Sequence, residues 1–236
     1  TAPVVTASGA TTFCVGGSVD LTSSQASGNV WSTSETTQTI SVTTSGSYSV
    51  TYTDGNGCTA VSAPIIVTVN ALPTAPTITA SGSTSFCSGG SVDLTSSQAS
   101  GNVWSTAETT QTINVVSAGS YSVTYTDGNG CSATSTPTVV TVNANPTAPV
   151  ITPSGATSFC AGGSVDLVSS EISGNTWSTA ETTGLITVNS TGSYSVTFVD
   201  GNGCSATSAP ISVTVNAAPT APVVTASGAT TFCVGG

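Results

Sequence analysis

The amino-acid sequence predicts an all-β protein made of tandem β-sandwich domains. Two observations carry this prediction: the segment Gly46–Cys58 reads as a half-buried strand, and it returns almost unchanged at 119–131 and 192–204. Apolar residues of the segment, such as Tyr48 and Val50, alternate with serines and threonines, which is the pattern of a strand with one buried face. Short strands joined by glycine-rich turns, with no helical periodicity, are typical of a β-sandwich.

The copies begin at Gly46, Gly119 and Gly192, so the interval between them is constant. It divides the chain into three predicted domains, 1–73, 74–146 and 147–219, followed by residues 220–236 as the start of a fourth. The segment 220–236 repeats the segment 1–17 letter for letter, and the sequence contains no methionine. We therefore expect the chain to be a window from a longer periodic protein.

Each repeat is predicted to contain six strands, or seven if residues 33–38 add a short one. The first strand follows a Thr-Ala-Pro segment that suits an edge, and its residue 5 is expected to face the core. Later strands are predicted around 18–22, 31, 40–42, 46–53 and 61–69. The last of these should carry Val61, Ala63, Ile65, Val67 and Val69 on a single parity, with a bulge or an edge position at Pro64.

The charge composition excludes several functions. The chain has no lysine, arginine or histidine and a net charge of −10. Phosphate backbones need cationic partners, and anionic membrane surfaces would repel this chain, so we expect no nucleic-acid binding. No apolar run approaches the roughly 18 residues of a membrane span, so we expect no membrane insertion. Without histidine or lysine, the commonest general bases and Schiff-base nucleophiles are missing, and we expect neither an enzyme nor a cofactor.

The seven cysteines are separated by a longer and a shorter interval in alternation. Pairing within repeats would form Cys14–Cys58, Cys87–Cys131 and Cys160–Cys204, with Cys233 bonded beyond the fragment. Pairing between adjacent cysteines of successive repeats would instead form Cys58–Cys87, Cys131–Cys160 and Cys204–Cys233. Six strands that reverse direction in succession would bring Cys14 beside Cys58, whereas a seventh would separate them, and the short interval between Trp31 and Tyr48 favours six. We therefore predict the within-repeat disulfides, which imply an oxidising compartment and export.

Aromatic residues recur at fixed positions and are expected in the core. The predicted core residues are Trp31, Trp104, Trp177, Tyr48, Tyr121 and Tyr194. A tryptophan among small polar neighbours is best explained by burial, and a sugar-stacking platform is the functional alternative. The turn Asp54-Gly55-Asn56-Gly57 is predicted to close a hairpin. Its weak alternative is a calcium site at Asp54 and Asn56, although the later ligands of a calcium loop are missing.

Three stretches of each repeat resemble a known family. They are Phe-Cys-x-Gly-Gly-Ser-Val-x-Leu, then Trp-Ser-Thr, then Gly-Ser-Tyr-Ser-Val-Thr-Tyr-Thr-Asp-Gly-Asn-Gly-Cys, which in the first repeat begin at residues 13, 31 and 46; in the third repeat Phe198 and Val199 replace the Tyr-Thr of the last stretch. The pattern is similar to the immunoglobulin-like and SprB-type repeats of giant surface proteins in Bacteroidota. This resemblance implies immunoglobulin-like domains, export to the cell surface, and a stalk in an adhesin or gliding-motility fibre. The complete lack of lysine and arginine departs from what the resemblance explains.

The predicted function is therefore structural: a stalk segment whose partners are other repeats of the same chain, with neighbouring fibres or a target surface as further partners. Two alternatives remain open at this point. One is a multivalent array of weak carbohydrate or protein sites. The other is a passive spacer in a large secreted enzyme.

Overall fold

The computed structural model describes residues 1–228, 230–231 and 234, and every regular element in them is a β-strand. The all-β class is therefore confirmed. Because these residues form no helix, none of them belongs to a helical segment that could cross a bilayer.

Each repeat contains nine short strands. In the first repeat they are β1 (Val5–Ala7), β2 (Thr12–Cys14), β3 (Val19–Ser23), β4 (Asn29–Trp31), β5 (Thr39–Val42), β6 (Gly46–Tyr48), β7 (Val50–Thr53), β8 (Thr59–Val61) and β9 (Ile65–Asn70). In the second they are β10 (Ile78–Ala80), β11 (Ser85–Cys87), β12 (Val92–Ser96), β13 (Asn102–Trp104), β14 (Thr112–Val115), β15 (Gly119–Tyr121), β16 (Val123–Thr126), β17 (Ser132–Thr134) and β18 (Thr138–Asn143). In the third they are β19 (Ile151–Pro153), β20 (Ser158–Cys160), β21 (Val165–Ser169), β22 (Asn175–Trp177), β23 (Leu185–Val188), β24 (Gly192–Tyr194), β25 (Val196–Val199), β26 (Ser205–Thr207) and β27 (Ile211–Asn216).

The chain divides into two compact units. One consists of Thr1–Ser85 and Gly90–Thr141, and the other of Phe86–Gly89 together with the chain from Val142 onward. The short segment Phe86–Gly89 contains Cys87, whose bonding partner lies in the second unit. The three-domain division at residues 73 and 146 stays a prediction.

Three three-stranded sheets make up the first repeat, in the orders β1-β3-β5, β2-β9-β6 and β4-β7-β8. The third repeat has the same arrangement, in the orders β19-β21-β23, β20-β27-β24 and β22-β25-β26. All pairs in these sheets are antiparallel except β2 with β9 and β20 with β27, which are parallel. This parallel pair fixes where the first cysteine of the repeat lies.

The predicted strand 46–53 is split at Ser49 because its two halves pair with different sheets. Tyr48 in β6 lies opposite Ile65 in β9, whereas Val50 in β7 lies opposite Trp31 in β4. The carbonyl of Ser49 accepts a hydrogen bond from the Ser32 amide at 2.8 Å. The segment therefore passes from one sheet to the other at Ser49 and helps to enclose the core between them.

The predicted strand 61–69 is also split, around Pro64, and its inward face changes there. Val61 is 57% exposed, whereas Ser62 is buried and Val67 lies in the core. The hydroxyl oxygen of Ser62 accepts a hydrogen bond from the Val50 amide at 3.0 Å, and the Ser62 amide donates to the Val50 carbonyl. The predicted single parity from Val61 to Val69 is wrong for Val61 and Ala63, which are exposed, because this pairing turns Ser62 to the inside and proline interrupts the alternation.

The six predicted strands are all present, but the count of six or seven is wrong. Two of them are split, and β2 was not predicted as a strand at all. Its sequence Thr-Phe-Cys is too short to show an alternation, so only its pairing with β9 identifies it.

The core of each repeat is formed by every second residue along the strands. In the first repeat it consists of Val19, Leu21, Trp31, Ile40, Val42, Tyr48, Val50 and Val67, with Val5, Phe13, Ile65 and Val69 packed against it. In the third it consists of Val165, Leu167, Trp177, Ile186, Val188, Tyr194, Val196 and Val213. Both sets lie on the buried faces of the strands, which is an arrangement of the β-sandwich type.

The tryptophan of each repeat is held by the loop that follows it. The indole N–H of Trp31 donates to the Thr37 carbonyl at 2.9 Å, and the Trp31 amide donates to the Glu35 carbonyl at 2.8 Å. Ser34 closes this loop with a positive φ of 78°. The indole is thus both packed and hydrogen-bonded, which removes the cost of burying its N–H group.

Two neighbouring residues of β21 test this core. Leu167 is fully buried, and we expect Leu167→Ala to lower the free energy of unfolding by about 2–5 kcal/mol, because the lost side chain leaves a cavity. The next residue, Val168, is partly exposed, and its equivalents in the other repeats are Thr22 and Thr95. Val168→Thr should therefore change the free energy by less than about 0.5 kcal/mol. Denaturant unfolding followed by tryptophan fluorescence makes the comparison, and equal losses for the two variants would contradict the described core.

Candidate functional site: the disulfide-linked junctions

Two disulfides connect successive repeats. Cys14 is bonded to Cys131, with 5.6 Å between their Cα atoms, and Cys87 is bonded to Cys204, with 5.5 Å. Each bond spans 117 residues of sequence. It joins the cysteine that ends the second strand of one repeat to the cysteine that follows the Asp-Gly-Asn-Gly turn of the next.

The predicted within-repeat disulfides Cys14–Cys58, Cys87–Cys131 and Cys160–Cys204 are therefore wrong, and so is the alternative that bonds Cys58 to Cys87 and Cys131 to Cys160. Cys58 and Cys160 are exposed and unbonded. Cys233, predicted to pair beyond the fragment, lies outside the described residues.

The direction of the strands explains why Cys14 is not bonded to Cys58. Cys14 lies beside Asn70 in the parallel pair β2–β9, so it sits at the pole where the chain leaves the repeat. Strand β6 runs antiparallel to β9 and continues into β7, so the turn before Cys58 lies at the opposite pole. The prediction assumed strands that reverse in succession, and the unpredicted parallel strand β2 invalidates it. We call the end of the repeat that carries Cys14 the exit pole, and the end that carries Cys58 the entry pole.

A tight turn presents the exit-pole cysteine. The Gly17 amide donates to the Cys14 carbonyl at 2.9 Å, and the Val15 amide donates to the Asn70 carbonyl at 2.9 Å. Gly16, between them, has a φ of 94°, a conformation that favours glycine at the third position of a type II turn. The turn therefore ties Cys14 to the end of the last strand.

An aspartate holds the entry-pole cysteine. In the second repeat, Oδ1 of Asp127 accepts hydrogen bonds from the amides of Asn129 and Cys131, both at 2.9 Å. The amide of Gly130 donates to the Asp127 carbonyl at 3.1 Å. Side-chain capping of this kind is how aspartate organises tight turns.

The same arrangement bears on the calcium alternative at Asp54 and Asn56. Oδ1 of Asp54 accepts the amides of Asn56 and Cys58 at 2.9 Å each, so this oxygen serves the turn. Within the described part of the chain, no group of three or more His, Cys, Asp or Glu side chains is arranged to hold a metal ion. The geometry gives Asp54 a structural role.

Bonding coincides with burial at the entry pole. Cys131 and Cys204 are 0% exposed, whereas the equivalent Cys58 is exposed. In the chain-entropy treatment, closing a loop of this length stabilises the folded state by about 5 kcal/mol. The disulfides therefore contribute a large share of the stability expected for small domains.

The predicted core aromatics lie inside the repeats. Trp31, Trp104 and Trp177 are each 2% exposed, and Tyr48, Tyr121 and Tyr194 are also buried. The Tyr48 hydroxyl donates to the Thr44 carbonyl at 2.9 Å. A tryptophan so deeply buried offers no face on which a sugar could stack.

A shallow polar groove beside the buried tyrosine occurs in two repeats. In the third repeat it has a volume of about 190 Å³ and is lined in part by Glu181, Thr187 and Tyr194; in the first its volume is about 120 Å³. A hydrogen bond from the Thr179 side chain is the main cause that lowers the pKa of Glu181. Both grooves are smaller than the roughly 300–1,000 Å³ of ordinary small-molecule sites.

No protein family and no curated protein matches this chain. Among solved structures, extracellular domains 3–5 of Drosophila OTK are similar at 14% identity and a TM-score of 0.31, over 87% of this chain and 93% of that one. A mouse coronavirus receptor-binding domain complexed with its murine receptor is similar at 13% identity and a TM-score of 0.34, over 59% and 98%. The protein SGBP-B of the Bacteroides ovatus mixed-linkage glucan utilization locus, in complex with a mixed-linkage heptasaccharide, gives 16% identity and a TM-score of 0.22, over 87% and 65%. At these TM-scores the likenesses carry no functional argument.

Cleavage before aspartate distinguishes the disulfide patterns. The six aspartates divide the chain so that Cys14 lies in peptide 1–19, Cys58 and Cys87 in 54–92, Cys131 and Cys160 in 127–165, and Cys204 in 200–236. Under non-reducing conditions, we expect mass spectrometry to find 1–19 bonded to 127–165, and 54–92 bonded to 200–236. A bond between 1–19 and 54–92 is the signature of within-repeat pairing and would contradict the junctions described above.

The turn aspartate gives a second test. Asp127→Ala removes the acceptor of two amide hydrogen bonds and should weaken formation of Cys14–Cys131 by about 1–2 kcal/mol, or about tenfold in a glutathione redox buffer. Asp127→Asn keeps an acceptor oxygen at Oδ1 and should stay close to the original protein. The measurement is the bonded fraction of Cys14 at a series of glutathione ratios. Equal behaviour of Asp127→Ala and the original chain would show that the turn does not position Cys131.

Proposed function

We propose that this chain is a structural stalk segment of an exported surface fibre or adhesin, in which successive repeats are bonded so that length is maintained under load. The observation that carries the proposal is the bonding of Cys14 to Cys131 and of Cys87 to Cys204. Disulfides confined within each repeat would stabilise separate domains. Disulfides between repeats also protect the connections, which are the points where a tandem array extends most easily.

The disulfides shorten the covalent path that would carry a load along the chain. Both inter-repeat connections, near residues 70–73 and 143–146, lie inside loops closed by a disulfide. The shortest covalent path from Cys14 to Cys204 crosses the first disulfide, follows the chain backwards from Cys131 to Cys87, and crosses the second. At one residue per step, this path contains about 44 residues in place of about 190 along the backbone. Neither inter-repeat connection lies on this path, so both carry no tension even when the chain is fully unfolded.

The composition suits an exposed filament. The absence of lysine and arginine removes every site for trypsin-type proteases, and a charged fraction of 4% limits nonspecific electrostatic capture. Disulfides persist in oxidising compartments, which supports an extracellular or cell-surface location. Assignment to the gliding-motility or adhesin fibres of Bacteroidota rests on the resemblance of the repeat motifs.

No observation favours the alternative of a carbohydrate-binding array over the stalk. The tryptophans that would stack on sugars are buried, and the two equivalent grooves are small.

Single-molecule stretching measures the path directly. At about 3.5 Å per residue, the path between Cys14 and Cys204 through both disulfides corresponds to about 150 Å at full extension. Complete reduction should release the backbone to about 670 Å over the same interval. Within-repeat disulfides would leave two stretches of about 29 residues each and give about 200 Å.

Two variants serve as controls for this measurement. Removing one junction bond with Cys14→Ser and Cys131→Ser should lengthen the path to about 73 residues, or about 260 Å. Replacing the unbonded Cys58 and Cys160 by serine should leave the extension of the original protein unchanged. An increase on replacing Cys58 and Cys160 would refute the proposed load path.

A further inference from the structure

Each repeat has an asparagine followed by a glycine in the turn before its entry-pole cysteine. The pairs are Asn56-Gly57, Asn129-Gly130 and Asn202-Gly203, and the sequence contains no other Asn-Gly. Asparagine deamidates fastest before glycine, because glycine has no side chain to hinder attack of its backbone nitrogen on the asparagine amide. All three asparagines are exposed, and a Cβ added to any of the three glycines would meet no atom within 4 Å. Water therefore reaches the reacting atoms.

The folded turn engages the atom that would attack. In the second repeat this atom is the backbone nitrogen of Gly130, which must first lose its proton. Its N–H donates to the Asp127 carbonyl at 3.1 Å, so loss of the proton would leave a negative nitrogen facing a carbonyl oxygen. The Asn129 amide is held on Oδ1 of Asp127 at 2.9 Å. Attack on Cγ of Asn129 therefore requires the turn to give up hydrogen bonds that stabilise it.

The protection comes from the turn and not from the disulfide. In the first repeat the Gly57 amide donates to the Asp54 carbonyl at 3.0 Å, although Cys58 is unbonded. The Asn56 amide donates to Oδ1 of Asp54 at 2.9 Å, the same distance as in the second repeat. The glycine φ values are also alike, at 82° in the first repeat and 80° in the second.

We propose that these asparagines are deamidation sites that are protected in the folded turn and reactive once it unfolds, and that the isoaspartate formed there prevents the junction disulfide from forming again. Isoaspartate routes the backbone through the side chain and lengthens the chain by one carbon at position 129. The bond from the Cys131 amide to Oδ1 of Asp127, at 2.9 Å, depends on the normal backbone length. The other product, aspartate, keeps that length. This inference does not rest on the stalk function.

The reaction needs only water. The Gly130 nitrogen gives its proton to the solvent and attacks Cγ of Asn129, and Nδ2 leaves as ammonia while a succinimide ring closes. One water molecule then opens the ring at either of its two carbonyls, which gives aspartate or isoaspartate. The net change converts an amide and water into a carboxylate and an ammonium ion, so no oxidant or reductant takes part.

The first experiment measures the protection. Cleavage before aspartate places the three asparagines in separate peptides, 54–92, 127–165 and 200–236, and tandem mass spectrometry follows the mass gain of deamidation in each. At neutral pH, the folded oxidised chain should deamidate about tenfold or more slowly than the chain reduced and unfolded in guanidinium chloride, because only the opened turn reacts. Equal rates in the two states would overturn the proposal.

A variant of the first repeat tests the aspartate without touching a junction disulfide. Asp54→Ala removes the acceptor of two amide hydrogen bonds and should raise the deamidation rate of Asn56 in the folded chain by about tenfold. Asn129 and Asn202 in the same molecule keep their turns and are the matched references. An unchanged rate at Asn56, or an equal increase at all three positions, would contradict protection by the turn.

The second experiment measures the effect on the junction. The reduced, unfolded chain is left until Asn129 has partly deamidated, and is then refolded in a glutathione buffer. Cleavage before aspartate cuts the aspartate product to 129–165, whereas isoaspartate resists cleavage and stays in 127–165 with the mass gain. Isoaspartate should be about tenfold scarcer in the peptide bonded to 1–19 than in the unbonded peptide, because the Cys131 amide loses its acceptor.

The aspartate product supplies the control. The Asn129→Asp variant has the same charge as isoaspartate with a normal backbone, and should form Cys14–Cys131 to the same extent as the original chain. Equal isoaspartate content in the bonded and unbonded peptides would overturn the proposed effect on the junction. Impaired bonding of Asn129→Asp would also overturn it, since the charge and not the backbone would then be responsible.

Discussion

The parallel pairing of β2 with β9 determines how these repeats are connected. It places Cys14 beside Asn70, where the chain leaves the repeat, while the antiparallel strand β6 and its continuation β7 carry Cys58 to the other pole. A disulfide between Cys14 and Cys58 would have to span the length of the repeat. The bonded cysteines of one repeat therefore have their partners in a neighbouring repeat, and each bond connects two repeats.

The turns at the two poles hold each cysteine in a defined position. Each pole combines one positive-φ glycine with a hydrogen bond at or beside the cysteine: the Asn70 carbonyl accepts from the Val15 amide at the exit pole, and the Asp127 carboxylate accepts from the Cys131 amide at the entry pole. The core does not depend on these poles, because Leu21, Trp31 and their neighbours are buried within a single repeat. Folding and connection thus use different residues, which is the arrangement that allows a repeat array to grow without altering the fold.

Much of the fold could be predicted from sequence because the buried residues follow strand parity. Val19, Leu21, Ile40 and Val42 alternate with polar residues and lie in the core, and the recurring tryptophan lies among them. The alternation did not predict the buried residue near Pro64, because hydrogen bonds with Val50 turn Ser62 to the inside. The cysteine partners could not be predicted from spacing alone, because spacing contains no information on strand direction. The one relevant segment, Thr12–Cys14, is too short to reveal its pairing with the distant strand β9 at the other end of the repeat.

Reactivity of the thiols in the unreduced protein tests the central claim most directly. After alkylation without reduction, peptide mass spectrometry of the six cysteines from Cys14 to Cys204 should find label on Cys58 and Cys160 alone. Label on none of the six is the result expected for bonds within each repeat. Label on Cys14 alone is the result expected for bonds between adjacent cysteines of successive repeats. Either of these results would contradict junctions built from the exit pole of one repeat and the entry pole of the next.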